Sequence, residues 1–227
     1  MSQAPNPLRL PLAAAAEELA LGLSDTQLDL LLDYLALIAK WNKVYNLTSV
    51  REPQAMLTQH LVDSLSLLPA LRRHAGGKAI RLLDVGSGGG LPGVVIAICD
   101  PLIDVSCVDA VAKKASFIKQ VAAELHLPNL HGLHSRVEDL KVPAFDLITS
   151  RAFASLLDFT QLTRKLLKPG ATWLAMKGQH PVAELAALPA DLDVFHVEQL
   201  QVPGLDAQRC LISIRSKSVH PDPSHCD

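Results

Sequence analysis

The sequence predicts an α/β protein with a Rossmann-like, mostly parallel seven-stranded sheet, an antiparallel end strand and an N-terminal helical extension. Three observations predict this fold class. Short apolar runs alternate with helical segments after Gly76 and Gly77, a glycine-rich turn follows the first run, and two apolar runs close the pattern. We expect a helical extension over residues 1–75, a core domain over 76–216 and a disordered tail over 217–227.

The N-terminal region contains two segments with apolar residues at helical spacing. They extend from Ser24 to Lys40 and from Pro53 to Arg72, and serine and proline both favour a helix start. Between them, Trp41–Val50 is too polar for a core strand, so we expect a loop anchored by its two aromatic side chains. Pro11 interrupts the preceding apolar run and two glutamates follow it, so we expect no signal peptide.

The elements after Gly77 alternate as in a parallel sheet that is covered by helices on both faces. The predicted strands are Ala79–Val85, Ile103–Asp109, Leu130–Ser135, Phe145–Ser150 and Ala171–Met176. The predicted helices are Pro92–Ile98, Ala112–Leu125, Leu156–Leu167 and Val182–Leu188. We expect the last two runs to pair antiparallel at the end of the sheet: Asp193–Val202 and Cys210–Arg215.

Composition narrows the class of protein. A net charge of -2 and a pI near 6.5 argue against binding nucleic acid by bulk electrostatics, although local basic pairs such as Lys113 and Lys114 remain. Without an uncharged apolar stretch of roughly 18 residues, we expect no membrane span and a cytoplasmic protein. The cysteines lack C-x-x-C spacing, and His60 and Asp63 lack a third ligand, so we expect no metal site and assign those two residues to helix packing and hydrogen bonding.

The stretch RLLDVGSGGGLPG carries the main functional signal. Gly88, Gly90 and Gly93 match the G-x-G-x-x-G pattern of dinucleotide sites, but two residues separate the strand from this match. Asp84 closes the strand, and its carboxylate would repel a pyrophosphate but favour the sulfonium and ammonium groups of S-adenosylmethionine. We therefore expect a methyl-donor site in which Gly86 and Gly88 let the backbone bend close to the ligand.

Further candidates follow the next strands at the same edge of the sheet. Asp109 closes the second strand and is expected to accept hydrogen bonds from ribose hydroxyls, a feature that nicotinamide enzymes share. After the third strand, we expect Val137 to pack on adenine and Glu138 to supply polar contacts. Arg151 follows the fourth strand, where we expect it to lie beside the methyl group.

A set of ordered stretches now resembles the glucose-inhibited division protein B family, bacterial methyltransferases that modify guanine N7 in a loop of 16S ribosomal RNA. The resemblance extends from about Leu28 to Arg215. Its stretches are WNKVYNLTSV, HLVDSL, LLDVGSGGGLPG, the Lys113 and Lys114 pair, SRVE, SRAFASL and LAMKG. It implies a class I S-adenosylmethionine-dependent methyltransferase fold, S-adenosyl-L-methionine as cofactor, and a monomer that acts on the small ribosomal subunit or an assembly intermediate.

The resemblance also implies residue roles. Donor contacts fall on Gly86, Leu91, Val137, Glu138 and Arg151. Candidate RNA contacts fall on Arg136, Arg151, Lys177 and Arg209. The basic pair Lys113 and Lys114 is a further RNA-binding candidate because of its charge. The triple glycine Gly88–Gly90 departs from many relatives, and we expect it to add loop freedom without changing the ligand.

The chemistry needs little from the protein, because guanine N7 already has a free lone pair and requires no general base. The sequence has neither an N-P-P-Y or D-P-P-Y stretch for amino methylation nor a proline–cysteine pair for carbon methylation. Arg151 is therefore the one candidate catalytic residue, expected to orient the donor carboxylate or an RNA phosphate. Two alternatives remain: a nicotinamide oxidoreductase, and a ribosome-binding protein without enzymatic activity.

Overall fold

The computed structural model describes residues 6–153 and 155–217, and its described strands form a seven-stranded sheet in the order β3-β2-β1-β4-β5-β7-β6. The strands are β1 (Ile80–Val85), β2 (Ile103–Asp109), β3 (Leu130–His134), β4 (Phe145–Ser150), β5 (Leu167–Lys177), β6 (Leu192–Leu200) and β7 (Arg209–Ser216). Strand β7 is antiparallel to its neighbours β5 and β6, whereas the other neighbouring pairs are parallel. The predicted fold class and the final antiparallel pair are confirmed.

Helices connect these strands and precede the sheet. They are α1 (Arg9–Glu18), α2 (Asp25–Tyr45), α3 (Pro53–Met56), α4 (Asp63–Leu65), α5 (Leu68–Ala75), α6 (Gly93–Cys99), α7 (Ala112–Glu124), α8 (Leu156–Thr163) and α9 (Val182–Ala186). Helix α2 begins with a capping box, in which Ser24 and Gln27 satisfy each other's backbone N–H groups.

The sheet separates two hydrophobic clusters because alternate strand residues point to opposite faces. Helices α1, α2, α6 and α7 pack on one face against Leu82, Val105 and Leu174. Helix α8 packs on the other face against Leu83, Ile148 and Trp173. The N-terminal helices thus share one continuous core with the sheet.

The predicted loop at Trp41–Val50 is wrong in its first half. Helix α2 continues through this stretch because the Trp41 ring packs against Phe117 at 5.2 Å and against Tyr45 at 4.9 Å. The polar side chain of Asn42 also stabilises this region, because its Oδ1 accepts a hydrogen bond from the Thr48 N–H at 3.0 Å. The helix ends where Asn46 takes a left-handed conformation.

The helix predicted from Pro53 to Arg72 is broken into pieces. A π-helical turn, Leu57–Val62, separates α3 from α4, and α5 starts only at Leu68. The second break fits Pro69, which lacks a backbone N–H and is tolerated in the first turn of a helix. Such π-helical turns often mark functional sites.

The C-terminal boundaries also differ from the sequence prediction. Helix α8 ends at Thr163, and a 3₁₀ turn leads directly into β5, four residues before the predicted strand start. Ser216 is the last residue of β7, and the backbone N–H of Lys217 donates to the Asp191 carbonyl at 2.8 Å. The rest of the tail, 218–227, lies outside the described residues.

The strand order reverses at β1, whose neighbours are β2 on one side and β4 on the other. Crossover connections leave these parallel strands in opposite directions at such a switch point, which opens a crevice beyond their carboxyl ends. The glycine-rich stretch follows β1, so the fold places it at this crevice.

Candidate functional site

The glycine loop between β1 and α6 is a tight turn with left-handed backbone positions. Gly86 has φ +67° and Gly90 has φ +92°, values that other L-residues rarely adopt. The Ser87 carbonyl accepts hydrogen bonds from the backbone N–H groups of Gly90 at 2.8 Å and Leu91 at 3.0 Å. The turn therefore satisfies part of its own backbone.

Three side chains from other elements hold the loop. Oδ2 of Asp109, at the end of β2, accepts from the Gly88 N–H at 3.1 Å. Asp84 accepts from Gly93 N–H, and the hydroxyl of Tyr34 in α2 donates to the Gly89 carbonyl at 2.6 Å. No sequence pattern indicated the Tyr34 contact, and Asp109 and Tyr34 anchor the triple glycine from two different elements.

Asp84 lies near the end of β1, as the sequence predicts, but its side chain is directed into the protein interior. Its side chain is fully buried behind the loop, where one oxygen accepts from Gly93 N–H at 2.8 Å and the other has no partner among the described residues. Burial raises the pKa of this carboxyl to about 7, although the Gly93 hydrogen bond works in the opposite direction. Asp84 therefore holds the start of α6 from behind the loop, and its predicted role in binding a methyl donor stays a prediction.

A cavity of about 260 Å³ lies beside the end of β2; we call it the β2 cavity. Apolar side chains of Val137 and Phe153 line it, and the acidic residues Asp109 and Glu138 also contribute to its wall. Val137 is buried in a 3₁₀ turn that is separated from the end of β3 by two residues. The structure thus brings together Gly86, Asp109, Val137 and Glu138, as expected.

A second cavity, also of about 260 Å³, shares Gly86 with the first; we call it the loop cavity. The turn residues Gly88 and Leu91 line it on one side and Arg151 on another. Lys114 also reaches this cavity, and its Nζ lies 3.4 Å from Oδ2 of Asp109.

A third, more polar cavity of about 450 Å³ shares Thr48, His60 and Arg151 with the loop cavity; we call it the arginine cavity. At its base lies Asp63, whose side chain is only 3% exposed. One Asp63 oxygen accepts from Nη1 of Arg151 at 2.7 Å, and the other accepts from Nε of Arg209 at 2.7 Å. A single buried carboxylate therefore fixes two arginines, a pairing that no local sequence pattern indicated.

Two further side chains of the arginine cavity are already partnered. Nζ of Lys177 lies 2.8 Å from Oε2 of Glu184 and donates to the Phe153 carbonyl at 3.2 Å. Nε2 of His60 lies 3.0 Å from Oγ1 of Thr48. Burial, followed by the positive charge of Arg151, lowers the pKa of His60 below its ordinary value, so this imidazole is neutral at pH 7.

The candidate RNA-contacting residues divide into separate groups. Lys177 and Arg209 join Arg151 in the arginine cavity, whereas Arg136 belongs to the β2 cavity. The Arg136 side chain is 73% exposed and lies 3.6 Å from Glu138. Lys113 is exposed at the start of α7.

The described residues contain no cluster of three or more His, Cys, Asp or Glu side chains that would hold a metal ion. None of the helices in the described ranges is long and apolar enough to cross a membrane. Another cavity, of about 330 Å³, lies near the amino ends of β1 and β2, far from the glycine loop.

Comparison with known proteins decides the family. The family model described as "GidB: rRNA small subunit methyltransferase G" matches residues 27–212, which include the glycine loop and all three cavities. The chain belongs to this family. A ribosomal RNA small subunit methyltransferase G of Acidovorax ebreus is 62% identical over 212 residues, covering 90% of this chain and 93% of the relative. The Leptothrix cholodnii protein of the same name is 60% identical over 94% of this chain and 98% of its own length.

Solved structures agree with this family at the level of fold. TrmN from Thermus thermophilus matches with a TM-score of 0.55 and 21% identity over 67% of this chain and 48% of its own length. A SAM-dependent methyltransferase from Aquifex aeolicus matches with a TM-score of 0.53 and 18% identity, over 70% and 92% of the two chains. Membership of the methyltransferase G family decides against both alternatives, the nicotinamide oxidoreductase and the non-enzymatic ribosome-binding protein.

Proposed function

We propose that this protein transfers a methyl group from S-adenosyl-L-methionine to N7 of a guanine in a loop of 16S rRNA. The observation that carries this proposal is the continuity of the three cavities. The loop cavity shares Gly86 with the β2 cavity and Arg151 with the arginine cavity. A donor and an acceptor bound at the two ends of this row would therefore meet near Arg151.

The residues of the β2 and loop cavities fit the donor. Val137 and Phe153 offer apolar walls suited to an adenine ring, and the carboxylates of Asp109 and Glu138 are acceptors suited to ribose hydroxyls. Part of the glycine turn is also open to a ligand: among the described residues, neither the Gly88 carbonyl nor the Gly89 N–H has a hydrogen-bond partner. Bound S-adenosylmethionine would supply an electrophilic methyl group on a sulfonium.

The arginine cavity suits a nucleotide of the acceptor RNA. Arg151, Arg209 and Lys177 place three positive side chains around it, against the carboxylates of Asp63 and Glu184. Within the described chain, Nε and Nη2 of Arg151 make no hydrogen bond, so they remain available for a phosphate or a carboxylate.

The protein's contribution to the reaction is then positioning and exclusion of water. Well-oriented reactants gain roughly 7 to 11 kcal/mol over free encounter, and N7 needs no base to remove a proton. The guanine must be unstacked to enter the cavity, which favours a loop of the RNA as the substrate. We further propose that a monomer acts in the cytoplasm on the small ribosomal subunit or an assembly intermediate.

The test combines a methyl-transfer assay with mapping of the modified nucleotide. Labelled S-adenosylmethionine is incubated with the protein and with small ribosomal subunits from a strain that lacks this gene, and mass spectrometry locates the new methyl group in 16S rRNA. We expect one N7-methylguanine, and weaker transfer to short protein-free RNA. Efficient methylation of a naked oligonucleotide would contradict the proposed ribonucleoprotein substrate, and no transfer to either RNA would contradict the proposed function.

Arg151→Ala is expected to reduce methyl transfer at least tenfold while the protein stays folded. The matched control is Arg215→Ala, which removes an exposed ion pair with Asp193 on β6. The control should keep the wild-type rate. A wild-type rate for Arg151→Ala would remove this arginine from the site.

A further inference from the structure

Tyr34 belongs to the N-terminal helix α2, yet it contacts the glycine loop that follows β1. Its side chain is fully buried, and its ring stacks on Phe117 of α7 with 6.5 Å between ring centroids. The hydroxyl donates to the Gly89 carbonyl across 55 residues of sequence, at 2.6 Å. The loop is therefore held by a part of the chain outside the strand–loop–helix unit that forms it.

The hydroxyl acts as a donor under all ordinary conditions. Burial raises the pKa of Tyr34 well above its usual value, so the phenol stays protonated. A Cβ at Gly90 would lie 3.3 Å from the Tyr34 oxygen, so the absence of a side chain at this position lets the hydroxyl approach the loop.

Two hydrogen bonds from opposite sides frame one peptide unit of the loop. Asp109 holds the Gly88 N–H at 3.1 Å, and Tyr34 holds the Gly89 carbonyl. The peptide unit between them consists of the Gly88 carbonyl and the Gly89 N–H. Neither group has a hydrogen-bond partner within residues 6–153 and 155–217, and both glycines line the loop cavity.

We propose that Tyr34 is a positioning residue for the methyl donor: its hydroxyl fixes the Gly89 carbonyl, so that the free peptide unit before it faces the loop cavity. This inference rests on the proposed function, since it takes S-adenosylmethionine as the ligand of that cavity. Tyr34 itself touches no ligand. It acts by preorganising backbone groups, which lowers the entropy lost when the donor binds.

The decisive variant is Tyr34→Phe, which removes one oxygen and keeps the ring and its packing. Tyr45→Phe is the matched control, because Tyr45 lies in the same helix but is 41% exposed and contacts Trp41 rather than the loop. Calorimetric titration with S-adenosylmethionine is expected to show a dissociation constant about five- to tenfold higher for Tyr34→Phe, the loss typical of one hydrogen bond. Tyr45→Phe should bind like the wild type.

Two further measurements separate positioning from a merely structural role. At saturating donor, Tyr34→Phe should keep a kcat within about twofold of the wild type, because only donor affinity is affected. Without any ligand, amide hydrogen exchange over residues 86–91 should be faster in Tyr34→Phe and unchanged in the remaining strands.

The possible results of these experiments separate a positioning role of Tyr34 from a purely structural one. A lower melting temperature with an unchanged dissociation constant would overturn the proposal, since Tyr34 would then only stabilise the fold. Unchanged exchange over residues 86–91 would also overturn it. If the wild type itself binds no S-adenosylmethionine, the proposed function fails instead, and the two failures are distinguishable.

Discussion

The two sides of the site each bury an aspartate, and the two carboxylates are treated in opposite ways. Asp84, behind the glycine loop, is fully buried with one backbone N–H as its partner. Asp63, under the arginine cavity, is nearly as buried but pairs with two guanidinium groups. Burial without a paired guanidinium raises the pKa of Asp84 to about 7, whereas Asp63 organises two cations. Equal burial of the same residue type thus serves two different purposes.

The two sides also differ in how they are built. Residues of the β2 and loop cavities come mainly from short turns that directly follow β1, β2 and β3. Residues of the arginine cavity come from separate parts of the chain, and Arg209 lies 146 residues from its partner Asp63. The β2 and loop cavities therefore draw largely on strand ends that share one edge of the sheet, whereas the arginine cavity depends on long-range ion pairs. The two regions should respond differently to substitution.

Asp63→Ala is expected to have the largest effect. Removing this carboxylate leaves Arg151 and Arg209 facing each other without a counter-ion, and the loss of one partner from a buried ion cluster costs about 3 to 5 kcal/mol. Urea unfolding should report this loss, and methyl transfer should fall with it. Asp193→Ala, which breaks an exposed pair with Arg215, should cost less than about 1 kcal/mol. Equal losses in the two variants would contradict the buried-cluster description.

Asp84→Asn should change how stability depends on pH. In the unfolded chain this carboxyl ionises near pH 4, but in the folded protein its pKa is about 7. Between these values the folded state keeps a proton that the unfolded state has lost, so the free energy of unfolding falls as pH rises and levels off above 7. At about 1.4 kcal/mol per pKa unit, the change amounts to a few kcal/mol.

Urea unfolding at pH 5 and pH 8 checks this expectation in both proteins. The wild type should lose more stability than Asp84→Asn between the two values, because the amide does not titrate. An equal loss of stability between pH 5 and pH 8 in both proteins would mean that Asp84 is already ionised at pH 5.

Gly93→Ala should lower the free energy of unfolding by about 1 to 3 kcal/mol. A Cβ at this position would collide with Sγ of Cys107 and lie 2.9 Å from Oδ2 of Asp84, so the helix–strand packing must open. Thermal unfolding measures the cost. Unchanged stability would show that α6 shifts freely over β1 and β2.

Gly89→Ala should have the smallest effect and the opposite sign. Its backbone lies outside the left-handed region, and nothing lies within 4 Å of the position that an alanine Cβ would take, so alanine fits without strain. Restricting the unfolded chain is expected to raise the free energy of unfolding by about 0.4 to 1 kcal/mol. Thermal unfolding measures this change. A melting temperature below that of the wild type would contradict the expectation.

This contrast explains how much the sequence could predict. The alternating runs and the glycine turn predict the sheet and place Gly86, Asp109, Val137 and Glu138 together, because the ends of parallel strands share one edge. Local patterns do not indicate the partner of a side chain. The Tyr34 contact with Gly89 and the burial of Asp84 therefore emerge only from the folded structure.

The error at Trp41–Tyr45 has the same origin. Lysine and asparagine made this stretch resemble a loop, but contact of Trp41 with Phe117, 76 positions further along, keeps it helical. Tertiary packing overrides local polarity when one large side chain is buried against another element.

The placement of β7 has a consequence for the newly made chain. This strand carries Arg209 and lies between β5 and β6, although it is synthesised after both. Until β7 leaves the ribosomal exit tunnel, β6 has no neighbour to pair with and Asp63 lacks its second arginine. Translation must therefore continue past β7 before the arginine cavity is complete, and a nascent chain that ends earlier lacks the Arg209–Asp63 ion pair.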